Sequence, residues 1–363
     1  MKRHTSFIVL VGLFMAFVNS QELTLQTNLD PAVSETSGLI FINNSLITHN
    51  DSENTNQLFE IDASNGNVIR TVTITNATNV DWEDITHDDT YIYIGDIGNN
   101  SGTRTNLKVY RILIADFFAS NTVTADLINF SYNNQTNFTP SPFATDFDAE
   151  GLIHYNENLY IFTKNWVTTN TNIYMLPKTV GDYSISPMDT IIVEGLVSGA
   201  EFNPNNNAIL LTGYDSNGAF IIELKDFSSG LFSNGSVSKI ALSVPNNYSP
   251  QIEAVTVINE QDYYITAEQS TSNASGLYTF STSTLGTSDL QLPKLSFYPN
   301  PANTIITLNT NNLKADIYDT SGQLIKTSEE RHIDVSNISP GYYITKIEDK
   351  TNGNLVYKKL IIN

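Results

Sequence analysis

One strand pattern recurs five times between residues 35 and 270, and this recurrence limits the fold more than any other feature. In each copy, a short run with a polar residue near its start precedes a second run rich in Ile, Tyr, Phe and Leu, and a third strand follows. The copies begin with residues 35–41, 81–86, 148–153, 199–204 and 251–257. Repeats of about 50 residues with three or four strands are typical of propeller blades, which bury both faces only by packing in a ring.

The spacing of the copies predicts the number of blades. One position of the repeat is occupied in turn by Ser37, Glu83, Glu150, Glu201 and Glu253. These positions are 46, 67, 51 and 52 residues apart. We therefore predict an all-β chain with a five-bladed β-propeller over residues 22–290, and a sixth blade within the irregular residues 112–147 is the alternative. The alternating residues 23–27 are expected to add an outer strand to the last blade and close the ring.

The N-terminus has the pattern of a signal peptide. Lys2 and Arg3 precede an apolar run over residues 7–18, which is too short for a comfortable membrane span. We expect residues 1–20 to be removed after Ser20. We also expect the mature protein to have no transmembrane segment.

The charge balance excludes several partners. The chain has 18 Lys and Arg against 38 Asp and Glu, a formal net charge of −20, and no cysteine. Such a surface repels nucleic acid and anionic lipid, so no nucleic-acid partner is expected. The absence of cysteine excludes disulfides and Cys-ligated zinc.

The last part of the chain reads as a separate domain. A Ser/Thr-rich linker over residues 281–289 precedes short alternating strands, which predict a small C-terminal β-sandwich over residues 295–363. Its turns and its basic, then apolar, ending are marked by Pro299, Asn300, Pro301, Gly322, Gly341, Lys358 and Lys359.

In their order and spacing, these elements resemble the type A C-terminal sorting domain of the type IX secretion system. The resemblance implies a Bacteroidetes-type source and passage through the periplasm and across the outer membrane. It implies the type IX secretion machinery as a partner. The protein would then be secreted or held at the cell surface.

Two polar positions of the repeat are candidates for a site. The first carries Glu83, Glu150, Glu201 and Glu253, and the second, about 13–15 residues later, carries Asn50, Asp96, Lys164, Tyr214 and Glu268. Equivalent positions of innermost strands lie at one height around a propeller axis, and carboxylates that close stay ionised only beside a cation. Oxygen ligands alone favour Ca²⁺ over zinc. The predicted metal ligands are Glu83, Asp96, Glu150, Glu201, Glu253 and Glu268.

The alternative interpretation is that these acids are fold signatures that accept backbone N–H bonds in blade turns. The residues expected to contact an anion or another ligand are Lys164, Arg104, Tyr214 and Asn50. Arg104 ends a Gly- and Asn-rich loop over residues 96–104, which either wraps an anion or forms a hairpin. Trp82 and Trp166 are either a platform for a sugar ring or packing between blades.

The propeller also resembles the phytase-like and SdiA-regulated groups of bacterial propellers. The residues that carry this resemblance are 37–39, 81–84, 95–100, 148–152, 163–164 and 253–255. The resemblance implies a propeller with a divalent-metal site. Propeller phytases carry several basic residues for phosphate, whereas this chain has few beside its acids.

These patterns favour a binding module that engages an extracellular glycan or protein, with a calcium site. There is no G-x-S-x-G, P-loop or H-E-x-x-H motif. The alternative is a metal-dependent, phosphoesterase-like hydrolase in which Glu83, Glu150 and Asp96 hold metal while Lys164 and Arg104 meet the substrate. A structural role in a surface layer is the third hypothesis.

Overall fold

A computed structural model describes residues 21–228, 230–244, 250–271, 273–282, 297–308, 311–319, 322–350 and 355–363. The predicted signal peptide and residues 283–289 of the predicted linker lie outside them. The chain divides into two compact units, Met1–Leu285 and Gly286–Asn363. Within the described ranges, no helix is both long enough and apolar enough to cross a membrane.

The N-terminal unit consists of short strands in blades. The described chain opens with β1 (Gln21–Glu22) and β2 (Thr24–Asn28). Blade 1 follows with β3 (Thr36–Ile42), β4 (Ser45–Asn50), β5 (Gln57–Ile61) and β6 (Val68–Ile74). Blade 2 has β7 (Trp82–His87), β8 (Tyr91–Asp96) and β9 (Lys108–Leu113), then helix α1 (Ile114–Ala119), the separate strand β10 (Thr122–Val123) and β11 (Asp126–Tyr132).

The remaining blades follow the same plan. Blade 3 has β12 (Ala149–Tyr155), β13 (Asn158–Thr163), β14 (Thr171–Pro177), the separate strand β15 (Gly181–Ile185) and β16 (Pro187–Ile191). Blade 4 has β17 (Leu196–Asn203), β18 (Ala208–Asp215), β19 (Gly218–Lys225) and β20 (Ser236–Ser243). Blade 5 has β21 (Ile252–Val257), β22 (Asp262–Ala267) and β23 (Gly276–Ser281). Two 3₁₀ turns, Pro31–Val33 and Phe232–Asn234, interrupt the connections.

Outer strands from elsewhere in the chain tie the blades together. The strand β10 pairs in parallel with β6 of blade 1, β15 with β11 of blade 2, and β1 with β20 of blade 4. The strand β2 pairs antiparallel with β23, with Leu25 opposite Tyr278. This pairing confirms that the N-terminal stretch adds the outer strand of the last blade.

The ring contains five blades. The innermost strands β3, β7, β12, β17 and β21 are neighbours in that order, and β21 returns to β3. Five separate apolar cores lie between successive blades. Residues 112–147 supply the end of β9, α1, β10 and β11 rather than a sixth blade.

The continuous apolar runs of the second strands follow from this packing. In β8, Ile92 and Ile94 face the core shared with blade 1, while Tyr93 faces the core shared with blade 3. In β13, Ile161 and Phe162 likewise belong to cores on opposite faces of blade 3. Because both faces of a blade are covered, successive residues are all apolar instead of alternating with polar ones.

The C-terminal unit is a β-sandwich, as predicted. Its strands are β24 (Phe297–Tyr298), β25 (Ile305–Leu308), β26 (Leu313–Tyr318), β27 (Leu324–Ser328), β28 (His332–Asp334), β29 (Gly341–Asp349) and β30 (Leu355–Ile362). One sheet has the order β24-β25-β28 and the other β27-β26-β29-β30. Side chains of both sheets, among them Ile306 and Ile317, share one core.

Candidate metal centre

A β-bulge near the start of every innermost strand shapes the candidate site. The register shifts between Trp82 and Asp84, and equivalent shifts occur in β3, β12, β17 and β21. A bulge leaves its extra residue outside the ladder and turns the side chain in a new direction. The extra residues are Ser37 with Gly38, Glu83, Glu150, Ser198 and Glu253.

This register places Ser198, not Glu201, at the position of the other glutamates. The Ser198 hydroxyl donates to the Ile252 carbonyl of the next blade at 2.6 Å. The Ser37 hydroxyl donates in the same way to the Glu83 carbonyl at 2.6 Å. Serines at the bulge therefore tie neighbouring blades together. Glu201 lies three residues further along its strand, away from the bulge glutamates.

Five carboxylates meet at the bulge end of blades 1 to 3. One carboxylate oxygen each from Asp51, Asp81 and Glu83 lies within 4.8 Å of the other two, and the same holds for Glu83, Asp148 and Glu150. Glu83 belongs to both groups. The five side chains therefore outline two adjacent positions for a cation, which share one glutamate.

Glu83 is the most constrained of these acids. Its residue is 3% exposed, and its carboxylate accepts no hydrogen bond from any residue that the structure describes. Burial, together with Glu150, Asp51 and Asp81, raises the pKa of Glu83 well above its ordinary value.

Gly98 makes room for this carboxylate. A Cβ atom on Gly98 would lie 2.0 Å from Oε1 of Glu83 and 2.5 Å from Oδ2 of Asp81. The backbone N–H of Gly98 donates to the Asp81 carbonyl at 3.2 Å. Close packing against two carboxylates therefore requires a glycine at position 98.

Asp148 is fixed by neighbouring loops. Its Oδ1 accepts the Asn99 backbone N–H at 2.6 Å, and its Oδ2 accepts the Trp166 indole N–H at 2.8 Å. Burial raises the pKa of Asp148, although Lys164 and these donors act in the opposite direction. The carboxylate is thus oriented before any ligand binds.

Lys164 is an internal counter-ion of the cluster. Its Nζ lies 3.0 Å from Oε1 of Glu150 and above the rings of Trp166 and Tyr214, at 5.1 and 5.3 Å. Burial alone would lower the pKa of Lys164, but Glu150 and Glu253 hold it well above its ordinary value. Lys164 therefore stays charged, and one lysine faces a group of acids.

Two further predicted acids lie on the blade 5 side of this cluster. Burial raises the pKa of Glu253 to about 7, against the effect of Lys164. Burial, Glu253 and Asp51 raise the pKa of Glu268 to about 9. Gln251 donates to Glu268 at 2.8 Å. Neither acid belongs to the two groups of three.

The structure gives Asp96 and Arg104 a different role from the predicted one. Nη2 of Arg104 lies 2.7 Å from Oδ1 of Asp96, and Nζ of Lys108 lies 3.5 Å from Oδ2. Arg104 also donates to the Gly98 carbonyl at 2.8 Å. Arg104 thus fixes the loop internally. Gly102 in this loop has φ of +70°, as expected for the hairpin alternative.

The five residues of the second polar position are not all equivalent in the strand register. Asn50 and Asp96 lie opposite the residue just before the bulge, whereas Lys164, Tyr214 and Glu268 lie one residue beyond that position. Asn50 donates to the Ala32 carbonyl at 2.9 Å and holds a turn.

The sequence analysis did not identify three of the five acids of the cluster. These are Asp51, Asp81 and Asp148. Asp51 is the true equivalent of Lys164 in the register, and Asp81 and Asp148 each stand two residues before a bulge glutamate. The signal was the D-x-E spacing shared by residues 81–83 and 148–150.

The two tryptophans have different environments. Trp82 is fully buried between blades, with its ring centroid 5.7 Å from that of His49 and its indole N–H donating to the Thr78 carbonyl at 3.2 Å. Trp166 is partly exposed and contacts Phe143, with ring centroids 4.9 Å apart. Trp82 therefore matches the packing alternative, and Trp166 borders the acid cluster.

The predicted sorting residues cluster within the C-terminal unit. Asn300, between Pro299 and Pro301, donates to the Lys359 carbonyl at 2.8 Å and accepts the Ile361 N–H at 2.8 Å. The Nζ of Lys359 lies 4.2 Å from the centroid of the Tyr342 ring, next to Gly341. The remaining two, Gly322 with φ of +84° and Lys358 in β30, lie in a turn and an edge strand.

The C-terminal unit matches a known family, whereas the chain as a whole has only distant structural likenesses. Residues 296–363 match the family model of the secretion system C-terminal sorting domain. No curated protein matches the chain significantly. Among solved structures, PorZ, a surface component of the type-IX secretion system of Porphyromonas gingivalis, is 14% identical, with a TM-score of 0.34. The match covers 90% of this chain and 45% of PorZ, so the chain spans less than half of that protein.

A second solved structure is the PQQ-bound aldose sugar dehydrogenase of Streptomyces coelicolor. It is 8% identical, with a TM-score of 0.40, over 71% of this chain and 97% of that enzyme. Likenesses at these levels assign no activity to this chain. The family match is specific to the last unit, and it confirms that residues 296–363 are a type IX secretion system C-terminal sorting domain, which directs the chain to the cell surface or the exterior.

Proposed function

We propose that the propeller binds Ca²⁺ at Asp51, Asp81, Glu83, Asp148 and Glu150 and acts outside the cell as a calcium-dependent binding module. The observation that carries this proposal is Glu83. Its carboxylate is 97% buried, is shared by two groups of three acids, and receives no hydrogen bond in the described part of the chain.

The chemistry of the cluster favours a hard divalent cation. Buried carboxylates within 4.8 Å of one another repel each other strongly unless protons or a cation compensate them. Ca²⁺ takes 6–8 oxygen ligands in irregular geometry. The cluster offers five carboxylates, of which Asp148 already accepts one hydrogen bond at each oxygen. All the donors are oxygen atoms, which argues against zinc.

The engagement of the basic residues favours binding over phosphoester hydrolysis. A phosphoesterase needs cations that can meet the transferred phosphoryl group. Arg104 is paired with Asp96 and the Gly98 carbonyl, and Lys164 is paired with Glu150. Both basic residues among the predicted anion contacts are therefore paired within the protein.

An exposed apolar rim beside the cluster gives a ligand a place to dock. Phe143 is 62% and Val167 is 64% exposed, and Trp166 connects this rim to Asp148 through its indole N–H. Phe143 has φ of +54°, which is unfavourable for a bulky residue, and its N–H donates to the Asn100 carbonyl at 2.8 Å. A ligand could contact this rim and complete the coordination of a bound Ca²⁺.

Thermal unfolding of the mature chain in Ca²⁺ and in EDTA tests the proposal. A ligand that binds only the folded state raises the midpoint, by an amount set by its concentration relative to Kd. Ca²⁺ should raise the midpoint of the wild-type protein, and Glu83→Gln should abolish the rise.

Glu201→Gln is the matched control, because Glu201 is also a buried glutamate of an innermost strand. This variant should keep the calcium-dependent rise. An equal rise in wild-type protein and Glu83→Gln would refute the proposed site. No rise at all would mean that the acids only tie the blades together.

A further inference from the structure

A cavity opens at the end of the innermost strands that is opposite to the acid cluster. It has a volume of about 660 Å³, within the range of small-molecule sites. All five innermost strands contribute to its wall, near the ends opposite to their bulges. The lining residues used below are Phe41, His87, His154, Glu201, Phe202 and Val257.

Glu201 is the acid deepest in this wall. It is 7% exposed, and its carboxylate oxygen accepts the Val257 N–H only at the long distance of 3.4 Å. No group of three metal-ligating side chains among the described residues includes Glu201. The cavity therefore offers a single buried carboxyl group rather than a multidentate cation site.

The charge of the cavity is unbalanced. Four lining acids, Asp88, Asp89, Glu157 and Glu201, face one lysine, Lys178. The Nζ of Lys178 lies 3.0 Å from Oδ2 of Asp88 and 2.7 Å from Oε2 of Glu157. These two partners neutralise the lysine, so the remaining charge of the cavity is negative.

The two histidines of the cavity add no positive charge. Burial lowers the pKa of His87 and of His154, so both imidazoles are neutral at pH 7. Nδ1 of His87 lies 3.0 Å from the Asp88 carbonyl, which assigns its proton to Nδ1 and leaves Nε2 as an acceptor. Nε2 of His154 is buried without a partner among the described residues.

Aromatic rings complete the wall. Phe41 and Phe202 are partly exposed, and each packs edge to face on a tyrosine, Tyr264 at 5.7 Å and Tyr155 at 4.9 Å. Rings held in this way offer faces that attract cations and apolar groups. A ligand that suits the cavity therefore carries a positive charge, hydrogen-bond donors and a short apolar chain.

We propose that this cavity binds an organic ammonium group, with the protonated amine paired to Glu201 and its alkyl chain against Phe41 and Phe202. The site is independent of the calcium site at the bulge end. Burial and Asp84 raise the pKa of Glu201 well above its ordinary value, so binding of an amine should release a proton from it. The other ionisable groups that line the cavity are His87, Asp88, Asp89, His154, Glu157 and Lys178.

Calorimetric titration of the mature chain with pentylammonium tests this inference, with 1-pentanol as the uncharged analogue. Calcium at saturating concentration keeps the acid cluster occupied. Pentylammonium should bind at least tenfold more tightly than pentanol, and Glu201→Gln should weaken it at least tenfold. Asp89→Asn, at an exposed position that folding does not require, should weaken it about threefold through the loss of one charge.

Glu83→Gln is the control, because it alters the acid cluster and leaves this cavity intact. Unchanged amine binding in Glu83→Gln supports the proposal. Loss of binding in Glu83→Gln would place the amine in the acid cluster and overturn it. Equal binding of pentanol, or no effect of both Glu201→Gln and Asp89→Asn, would also overturn it.

Discussion

Without a divalent cation, the propeller should lose stability as the pH rises from 4.5 to 8. Burial raises the pKa of Glu253 from 4.5 to about 7 and that of Asp81 from 3.8 to about 7. In the unfolded chain these groups titrate near their ordinary values. Between the two pKa values the folded protein binds more protons, so the free energy of unfolding falls as the pH rises. For Glu253, which is 5% exposed, this effect is about 3 kcal/mol.

Calcium should reverse this loss at pH 8. At 100 times Kd, a ligand of the folded state contributes about 2.7 kcal/mol. At pH 4.5 the buried carboxyl groups are largely protonated and bind the cation weakly, so the gain should nearly vanish. The stabilisation by calcium therefore requires a pH at which the buried acids are ionised.

Urea unfolding followed by tryptophan fluorescence measures this directly. The chain has two tryptophans, Trp82 and Trp166, and both belong to the propeller. Equal stability at pH 4.5 and pH 8 in EDTA would refute the reasoning about the buried acids. A calcium gain of equal size at both pH values would refute their role as ligands. Glu253→Gln should reduce the pH dependence in EDTA, and the contribution of Asp81 should remain.

Three further predictions concern single residues. Gly98→Ala should weaken Ca²⁺ binding at least tenfold by calorimetry because the new Cβ meets two carboxylates, whereas Gly181→Ala, whose Cβ would meet only a side chain at 3.1 Å, should not. Arg104→Met should lower the free energy of unfolding by about 3–5 kcal/mol in urea, because it removes the closest partner of the buried Asp96; a loss below 1 kcal/mol would contradict this. Trp82→Ala should lower it by about 3–5 kcal/mol and leave calcium affinity unchanged, and a selective loss of calcium binding would show that this ring serves the site.

The repeat made the architecture predictable. Strand-length apolar runs such as Tyr91–Ile94 and Leu159–Phe162 recur at similar spacing, and packing on both faces explains why they lack alternation. The strands within the irregular residues 112–147 could not be assigned from the sequence, because α1 and β10 interrupt the strand pattern of the blade. The outer strand β10 joins blade 1 across a whole intervening segment, a pairing that no local pattern indicates.

The site was only partly predictable, for a geometric reason. Glu83, Glu150 and Glu253 occupy bulges, and a bulge shifts the register by one residue without a local signal. Aligning the repeats by residue type therefore placed Glu201, and not Ser198, at the position of the bulge glutamates. Asp51 was missed for the same reason, because its neighbour Asn50 matched the polar pattern equally well.

The roles of the basic residues depended on contacts that only the fold supplies. Arg104 is eight residues from Asp96 in the sequence, and the hairpin between them brings the guanidinium back onto the carboxylate. Lys164 stands beside Glu150 because β12 and β13 are adjacent antiparallel strands. The sequence indicates the presence of these charges but not their pairing.

Anomalous diffraction from crystals of the protein without residues 1–20, soaked in Mn²⁺ and then in Ca²⁺, tests the central claim most directly. We predict one or two peaks beside the Glu83 carboxylate, between it and the pairs Asp51–Asp81 and Asp148–Glu150, with Ca²⁺ to oxygen distances of about 2.3–2.6 Å. The absence of a peak at millimolar cation, with Glu83 hydrogen-bonded to a neighbouring carboxyl group, would contradict it. In that case the buried acids are held by shared protons, and the propeller acts without calcium.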